Sequence, residues 1–227
     1  KKLNSFEHRI LFYGNTPAQQ VADMLKELHQ TPANLNKIPA PVQFVEQENN
    51  NEIYVVDYPM KQAEIIIRSK DGAYDQNNVP TIRLFNEYFG GGMSSIVFQE
   101  IRESKALAYS VWSGYMTPTD KTKSNYVQAY VGTQADKLPE AMAGMFELIN
   151  NMPKADNNFK AAKESIIQGI RTERIIKSGI LFNYENAKKL GLDHDIRQDV
   201  YNKVPALTFE DIQKFEETHY KSKKYTI

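Results

Sequence analysis

The sequence predicts an α+β fold in which an antiparallel β-sheet is covered by helices on one face. Residues 53–57 and 63–68 are rich in Ile and Val and are joined through a short Tyr-Pro-Met turn, which is typical of a hairpin. Residues 108–116 and 125–133 form a second predicted hairpin, in which apolar and polar side chains alternate. Helical segments are predicted over 80–89, 94–104, 137–151, 156–177, 180–191 and 208–220. The hairpin links predict an antiparallel sheet. In an α+β arrangement of this kind, the helices are expected to cover one face of that sheet.

The opening of the chain has a different pattern from the rest. Residues 9–13 (RILFY) predict a buried strand. A helix is expected to follow from Thr16, with Pro17 in its first position and Gln19 completing a capping box. Residues 31–51 contain three prolines and an Asn-rich run, which predicts an extended linker.

Composition excludes several classes of function. Lys and Arg number 28 and Asp and Glu number 28, and this balance argues against a nucleic-acid or anionic-membrane partner. The chain has no cysteine, which rules out disulfides, thiol catalysis and Cys-ligated zinc. No stretch approaches the ~20 apolar residues of a membrane helix, so no membrane segment is predicted. A cysteine-free chain suits the cytosol and the periplasm alike, and the periplasm is slightly favoured.

The usual catalytic motifs are missing from the sequence. None of the four histidines has another three or four positions away, as a zinc-binding helix would need. Glu216 and His219 lie three residues apart on the last predicted helix and are interpreted as a surface pair, placed where the helix dipole favours a cation. Ser94 is expected to cap a helix, and the glycines at 90–92 follow a helix rather than the strand that a phosphate-binding loop requires.

Arg102 and Tyr109 are the two residues that combine chemistry with a suggestive position. Arg102 lies near the end of a predicted helix and Tyr109 near the start of a predicted strand, seven residues later. The turn over 103–108 is expected to bring both side chains to one rim of the sheet. An Arg and a Tyr held together there could bind a peptide carbonyl or stabilise an oxyanion. From the residues alone, a purely structural role for both remains open.

This segment resembles the non-catalytic domains of the pitrilysin/insulinase family of zinc metallopeptidases. The resemblance rests on the sequences GGGMSS at 90–95, FQEIRE at 98–103 and LAYSV at 107–111. The spacing of seven between Arg102 and Tyr109 matches the Arg/Tyr pair of the family. The resemblance is sharp over residues 80–115 and weaker over the rest of the chain from about residue 5 onward.

The resemblance implies a fold of the LuxS/insulinase-like metalloenzyme type and a part in peptide hydrolysis. Such enzymes are built from four related α+β domains around a closed chamber, with zinc in an H-x-x-E-H helix of the first domain. Arg102 would help to bind the peptide backbone, Tyr109 would donate a hydrogen bond to the developing oxyanion, and Gly90, Gly91 and Gly92 would shape the chamber wall. This chain lacks the H-x-x-E-H helix. No cofactor is therefore expected in it, and zinc is expected in an N-terminal half or a partner subunit.

The resemblance also implies a domain organisation. Residues 1–30 would be the closing strand and helix of a preceding domain, 31–51 a linker, and 52–227 a C-terminal, substrate-facing domain of the inactive type. The sequence is accordingly expected to be part of a longer protein. One departure is Ile96, where many relatives have an Arg, and this leaves a further polar contact at that position in doubt.

Two other interpretations stay open. The chain resembles the same family's non-peptidase members as well, such as core subunits of respiratory complexes or regulatory partner subunits, although those often lack the Arg/Tyr pair. It could also be a peptide-binding scaffold, in which the strand at 108–116 accepts a peptide strand if it lies at a sheet edge.

Overall fold

The structure is a computed structural model. It describes residues 3–221 and 223–227, and of Leu3 it describes the backbone only. Over these residues the chain forms three strands, seven α-helices and one π-helix, besides short 3-10 turns. In chain order they are α1 (Ala18–Leu28), β1 (Gln62–Ala73), α2 (Val79–Phe89), the π-helix (Phe98–Ser104), β2 (Ser110–Met116), β3 (Ser124–Gln134), α3 (Leu138–Asn150), α4 (Asp156–Thr172), α5 (Lys177–Leu190), α6 (Ile196–Lys203) and α7 (Phe209–His219). Within the described part of the chain, no helix has both the length and the apolar character needed to cross a bilayer.

The chain divides into two compact units. The first comprises the described residues up to 46 together with 174–185, and the second comprises 47–173 and 186–227. In the first unit, Arg9 donates two 2.9 Å hydrogen bonds to the carboxylate of Glu185. The second unit contains the sheet and the main core, and the site described below lies wholly within it. The assignment of residues 1–30 to a preceding domain and 31–51 to a linker stays a prediction.

The sheet has the strand order β1-β3-β2, and both pairings are antiparallel. Ile67 pairs with Ala129 on one side of β3, and Val111 pairs with Val131 on the other. Alternate residues of β3 are buried while those between them are partly exposed, so only one face of the sheet is covered. This arrangement, with the helices described above, confirms the predicted α+β class.

Aromatic side chains fill the core between the sheet and the helices. Phe85 and Phe89 of α2 are fully buried and stack with their ring centroids 5.2 Å apart. Tyr220 packs on both rings, at 4.6 and 5.5 Å. α3 adds Met145 and Ile149, neither of which is exposed. Burying such side chains contributes about 1.5–3 kcal/mol each, so this packing fixes α2 against the sheet.

Two predicted strands are not strands in the structure. Residues 9–13 and 53–57 form no ladder, and their side chains are largely exposed, with Ile10 at 47% and Val55 at 86%. A strand is stable only when a neighbour satisfies its backbone groups, and here these segments have no such ladder in the described residues. The isolated bridges lie just outside these segments, such as the parallel bridge between Glu52 and Thr226.

The helix boundaries were predicted with mixed success. The capping box predicted at Thr16 does not form, because α1 begins only after Pro17 and has no side-chain cap. The helix predicted over 94–104 starts two residues later and is capped by the hydroxyl of Ser95, which accepts from Phe98 N at 3.4 Å, rather than by Ser94. α6 was not predicted. α7 begins with a capping box between Thr208 and Asp211.

Candidate functional site

The helix that carries Arg102 is a π-helix over most of its length. Its backbone bonds run from residue i to i+5, as in the 3.2 Å bond from Lys105 N to Glu100 O. π-Helical segments are rare in proteins, and those that occur often lie at functional sites. The added residue turns the side chains that follow it to new directions. Here Ile101 is fully buried while the Arg102 side chain is 43% exposed. The wide turn therefore anchors the helix through Ile101 and presents Arg102 to solvent.

The turn between Arg102 and Tyr109 is tightly held by the backbone and by β3. Leu107 N donates to Ile101 O at 2.9 Å, and Tyr109 N donates to Gly132 O at 2.8 Å. The Thr133 hydroxyl donates to Leu107 O at 2.6 Å. These bonds fix where the Tyr109 side chain leaves the backbone, so little ordering is needed when a ligand arrives.

One residue of this turn is strained. Ala106 has a φ of 48°, a left-handed conformation that residues other than Gly, Asn and Asp seldom adopt. The ammonium of Lys137 donates to Ala106 O at 3.1 Å and so stabilises the unfavourable backbone. Strain of this kind costs on the order of 1–3 kcal/mol and tends to collect at functional sites.

Arg102 and Tyr109 line the same surface groove. The groove has a volume of about 290 Å³. Tyr109 is 75% exposed and its hydroxyl is accessible to a ligand. The other lining residues are Gln62, Glu103, Ala106, Leu107, Ala108, Gln134 and Lys137. Sequence reasoning missed Gln62, Gln134 and Lys137, since nothing in their local pattern distinguishes them from ordinary surface residues.

The groove is rich in hydrogen-bond donors. The guanidinium of Arg102 lies 4.7 Å from the centre of the Phe98 ring and its Nε is 3.7 Å from Glu103 Oε1. Stacking on Phe98 restricts the Arg102 side chain and leaves its edge available for a planar acceptor. With Lys137, Tyr109 and two glutamines also present, the chemistry suits carbonyl and carboxylate oxygens.

The three glycines lie outside this groove lining. Gly90 is buried against β2, and a Cβ on it would lie 2.3 Å from Ser113 O. Gly91 and Gly92 continue the turn and are more exposed. Gly90 thus permits close packing of α2 on the sheet, and the structure does not bring the glycines together with Arg102 and Tyr109 in one groove.

A second polar cluster lies at the end of β1 and corrects one interpretation made from the sequence. Asp71 Oδ2 accepts from the hydroxyl of Tyr115 at 2.7 Å and from Nδ1 of His219 at 2.6 Å, and Oδ1 accepts from Lys223 Nζ at 2.7 Å. Burial by itself would raise the pKa of Asp71, but the hydrogen bonds from Lys223, Tyr115 and His219 hold it below its usual value.

Glu216 and His219 are therefore not the surface pair that the sequence indicated. Glu216 is only 3% exposed, and burial raises the pKa of its carboxyl to about 7. His219 turns toward Asp71 instead of toward solvent. The last helix is apolar enough on this side to bury Glu216, which its spacing in the sequence could not reveal.

Metal binding can be tested against the described side chains. Among residues 3–221 and 223–227, no three His, Asp or Glu side chains are grouped closely enough to hold a metal ion. The groove itself offers two cations, two amides and the single carboxylate of Glu103, which is too few ligands for zinc. The geometry thus defines an α+β domain with a donor-rich groove on one rim of its sheet.

The comparisons with known proteins agree with this class. Residues 9–166 match the family described as the peptidase M16 inactive domain. The chain belongs to this family, which is part of the pitrilysin/insulinase-type zinc metallopeptidases.

A curated relative is similar in sequence, and two solved structures share the fold. The chain is 25% identical to "Uncharacterized zinc protease YmxG" of Bacillus subtilis (strain 168) over 159 residues, which cover 67% of this chain and 37% of the relative. It is similar to a peptidase M16 inactive domain from Pseudomonas fluorescens, with a TM-score of 0.67 and 20% identity over 85% of this chain and 46% of that one. It is also similar to a protease from Helicobacter pylori, with a TM-score of 0.69 and 14% identity over 93% of this chain and 52% of that one. The matched part of the chain thus covers about half the length of the two solved structures and 37% of the curated relative.

Proposed function

We propose that this chain is the substrate-facing, non-zinc domain of a zinc endopeptidase that degrades peptides in a closed chamber. The observation that carries the proposal is the placement of Arg102 and Tyr109 in one groove of a chain that belongs to the M16 inactive-domain family. The zinc and its general base would lie in an N-terminal half of the same protein or in a partner subunit. The relative from Bacillus subtilis, which is much longer than this chain, is described as a zinc protease.

In this proposal the two side chains have different roles. Arg102 would bind a backbone carbonyl of the extended peptide, since its guanidinium is held on Phe98 with its edge accessible. Tyr109 would donate its hydroxyl proton in a hydrogen bond to the oxyanion that develops on the scissile carbonyl of the peptide. Gly91 and Gly92 would form part of the chamber wall. The chain's own residues thus bind and orient the peptide and stabilise the charge that develops on it.

The experiment is a kinetic comparison in the parent protein that contains the zinc-bearing half. Tyr109→Phe removes the donor and keeps the ring, so kcat is expected to fall by about 100-fold or more while KM changes little. Tyr58→Phe is the matched control, because Tyr58 is 69% exposed and does not line the groove. An unchanged kcat in Tyr109→Phe would refute the oxyanion role.

The isolated chain provides a second test. It is expected to hydrolyse no peptide and to hold no stoichiometric zinc, since the required residues would lie elsewhere. Peptidase assays and elemental analysis of the purified chain measure both. One tightly held zinc ion per chain would contradict the proposal.

One observation favours a second candidate function, that of a peptide-binding scaffold. Among the described strands, β2 pairs only with β3 and forms one edge of the sheet. An extended peptide that adds to this edge would slow amide exchange along β2. Peptide-induced protection confined to β2, with no change at Arg102 or Tyr109, would favour this function over the first.

A further inference from the structure

Lys137 differs from the other cation of the groove in that no carboxylate of the described residues pairs with it. Arg102 lies 3.7 Å from the carboxylate of Glu103, which partly neutralises it. Lys137 donates one hydrogen bond to Ala106 O, and it forms no ion pair with any carboxylate of the described residues. An ammonium has three N–H donors, so two remain for a ligand.

The surroundings of Lys137 support an anionic ligand. Lys137 is partly buried at the start of α3, where its bond to Ala106 O holds the ammonium beside the groove. Gln62 and Gln134 face each other across β1 and β3 and line the same groove. The fixed charges of the lining are thus two cations and one carboxylate, with neutral donors around them.

We infer that Lys137 recognises a carboxylate of the bound peptide and makes the groove selective for peptides that carry one there. The inference rests on the proposed function, because it assumes that a peptide occupies the groove. The carboxylate has two possible sources, the C-terminus of the peptide or an Asp or Glu side chain. Both present two oxygens that fit an ammonium and the neighbouring amide donors.

The test uses the full 227-residue chain and three short unstructured peptides of equal length. The first has a free C-terminus, the second is C-terminally amidated, and the third is amidated but ends in Glu. Dissociation constants come from NMR chemical-shift titrations at low salt, which also report which residues respond. A carboxylate-bearing peptide is expected to bind about fivefold tighter than the neutral one, and 0.5 M salt should reduce that preference.

Substitutions at Lys137 separate recognition from support of the turn. Lys137→Met keeps the aliphatic stem and removes the charge, so it should abolish the preference for the carboxylate-bearing peptides. Lys137→Arg should restore the preference. Lys105→Met is the matched control, since Lys105 is a nearby exposed cation that lies outside the groove lining.

The outcomes are distinct. A preference for the first peptide alone assigns the C-terminus as the ligand, and a preference for the third as well assigns any accessible carboxylate. Equal affinities for all three peptides, or an equal loss for all three in Lys137→Met, would overturn the inference and leave the proposed function standing. Failure of every peptide to shift the groove, together with an unchanged kcat in Tyr109→Phe, would count against the proposed function itself.

Discussion

The cluster around Asp71 offers the sharpest prediction about stability. Asp71 joins β1 to β2, to the end of α7 and to the C-terminal segment through Tyr115, His219 and Lys223. Its side chain is only 12% exposed, so water cannot easily replace these partners. Asp71→Ala should therefore destabilise the second unit by removing three contacts at once.

The magnitude follows from the exposure of the partners. Tyr115 is 3% exposed, and losing the acceptor of its hydroxyl costs about 1–3 kcal/mol. The side chains of Lys223 and His219 are 24% and 26% exposed, so water compensates for part of their loss and each contributes about 0.5 kcal/mol. The sum is about 3 kcal/mol, which for a chain of this size lowers the melting temperature by about 6–12 °C.

Thermal unfolding at pH 7, followed by circular dichroism, measures this effect. Asp57→Ala is the control, because Asp57 is exposed and its loss should change the unfolding free energy by less than about 0.5 kcal/mol. If the melting temperature of Asp71→Ala lay within about 2 °C of the wild type, as is expected for Asp57→Ala, the cluster would not stabilise the fold.

The pH dependence gives an independent check on the same residue. The folded pKa of Asp71 lies below its unfolded value of about 3.9, because Lys223, Tyr115 and His219 donate to the carboxylate. The stability that its ionisation contributes is therefore fully present above the unfolded pKa and is lost as the pH falls through the folded pKa. The stability difference between wild type and Asp71→Asn should narrow below about pH 4. A difference that stays constant down to pH 2 would contradict the assignment.

Two further predictions concern Glu216 and Gly90. Burial raises the pKa of Glu216 to about 7, whereas the unfolded pKa is about 4.3. Between these two pH values folding takes up a proton, so the free energy of unfolding declines as the pH rises toward 7. Glu216→Gln should accordingly melt above the wild type at pH 8 and close to it at pH 5, and an equal difference at both pH values would show that the carboxyl is not buried in solution. Gly90→Ala places a Cβ 2.3 Å from Ser113 O and should cost about 1–3 kcal/mol in urea unfolding, whereas Gly72→Ala, with nothing within 4 Å, should be tolerated.

Much of the second unit was predictable because local pattern and tertiary environment agree there. The period-two alternation in β3 and the helix expected over 208–220 both appear in the structure as the sequence indicated. The same holds for the helix expected over 80–89, which is α2 in the structure and buries Ile82, Phe85 and Phe89. In each case the short-range signal is one that burial then stabilises.

The predictions failed where the outcome depends on a distant partner. Residues 9–13 have the composition of a strand, but a strand needs a neighbour for its backbone groups, and pattern alone does not reveal whether one is there. The π-helix is a similar case, because a helical stripe predicts a helix without specifying an i to i+5 register. The groove residues Gln62 and Lys137 were missed for the same reason.

The sequence by itself determined the α+β class, the positions of most helices and the pairing of Arg102 with Tyr109 in one segment. These properties depend on neighbours within a few turns of the chain, where periodicity and spacing carry the information. The tertiary structure alone decided that Lys137 stands beside that pair and that Glu216 is buried. It also decided that Asp71 meets His219 and Lys223, about 150 positions away in the sequence. Such contacts depend on how the sheet and helices pack in space. A local sequence pattern carries no information about residues that lie so far apart in the chain.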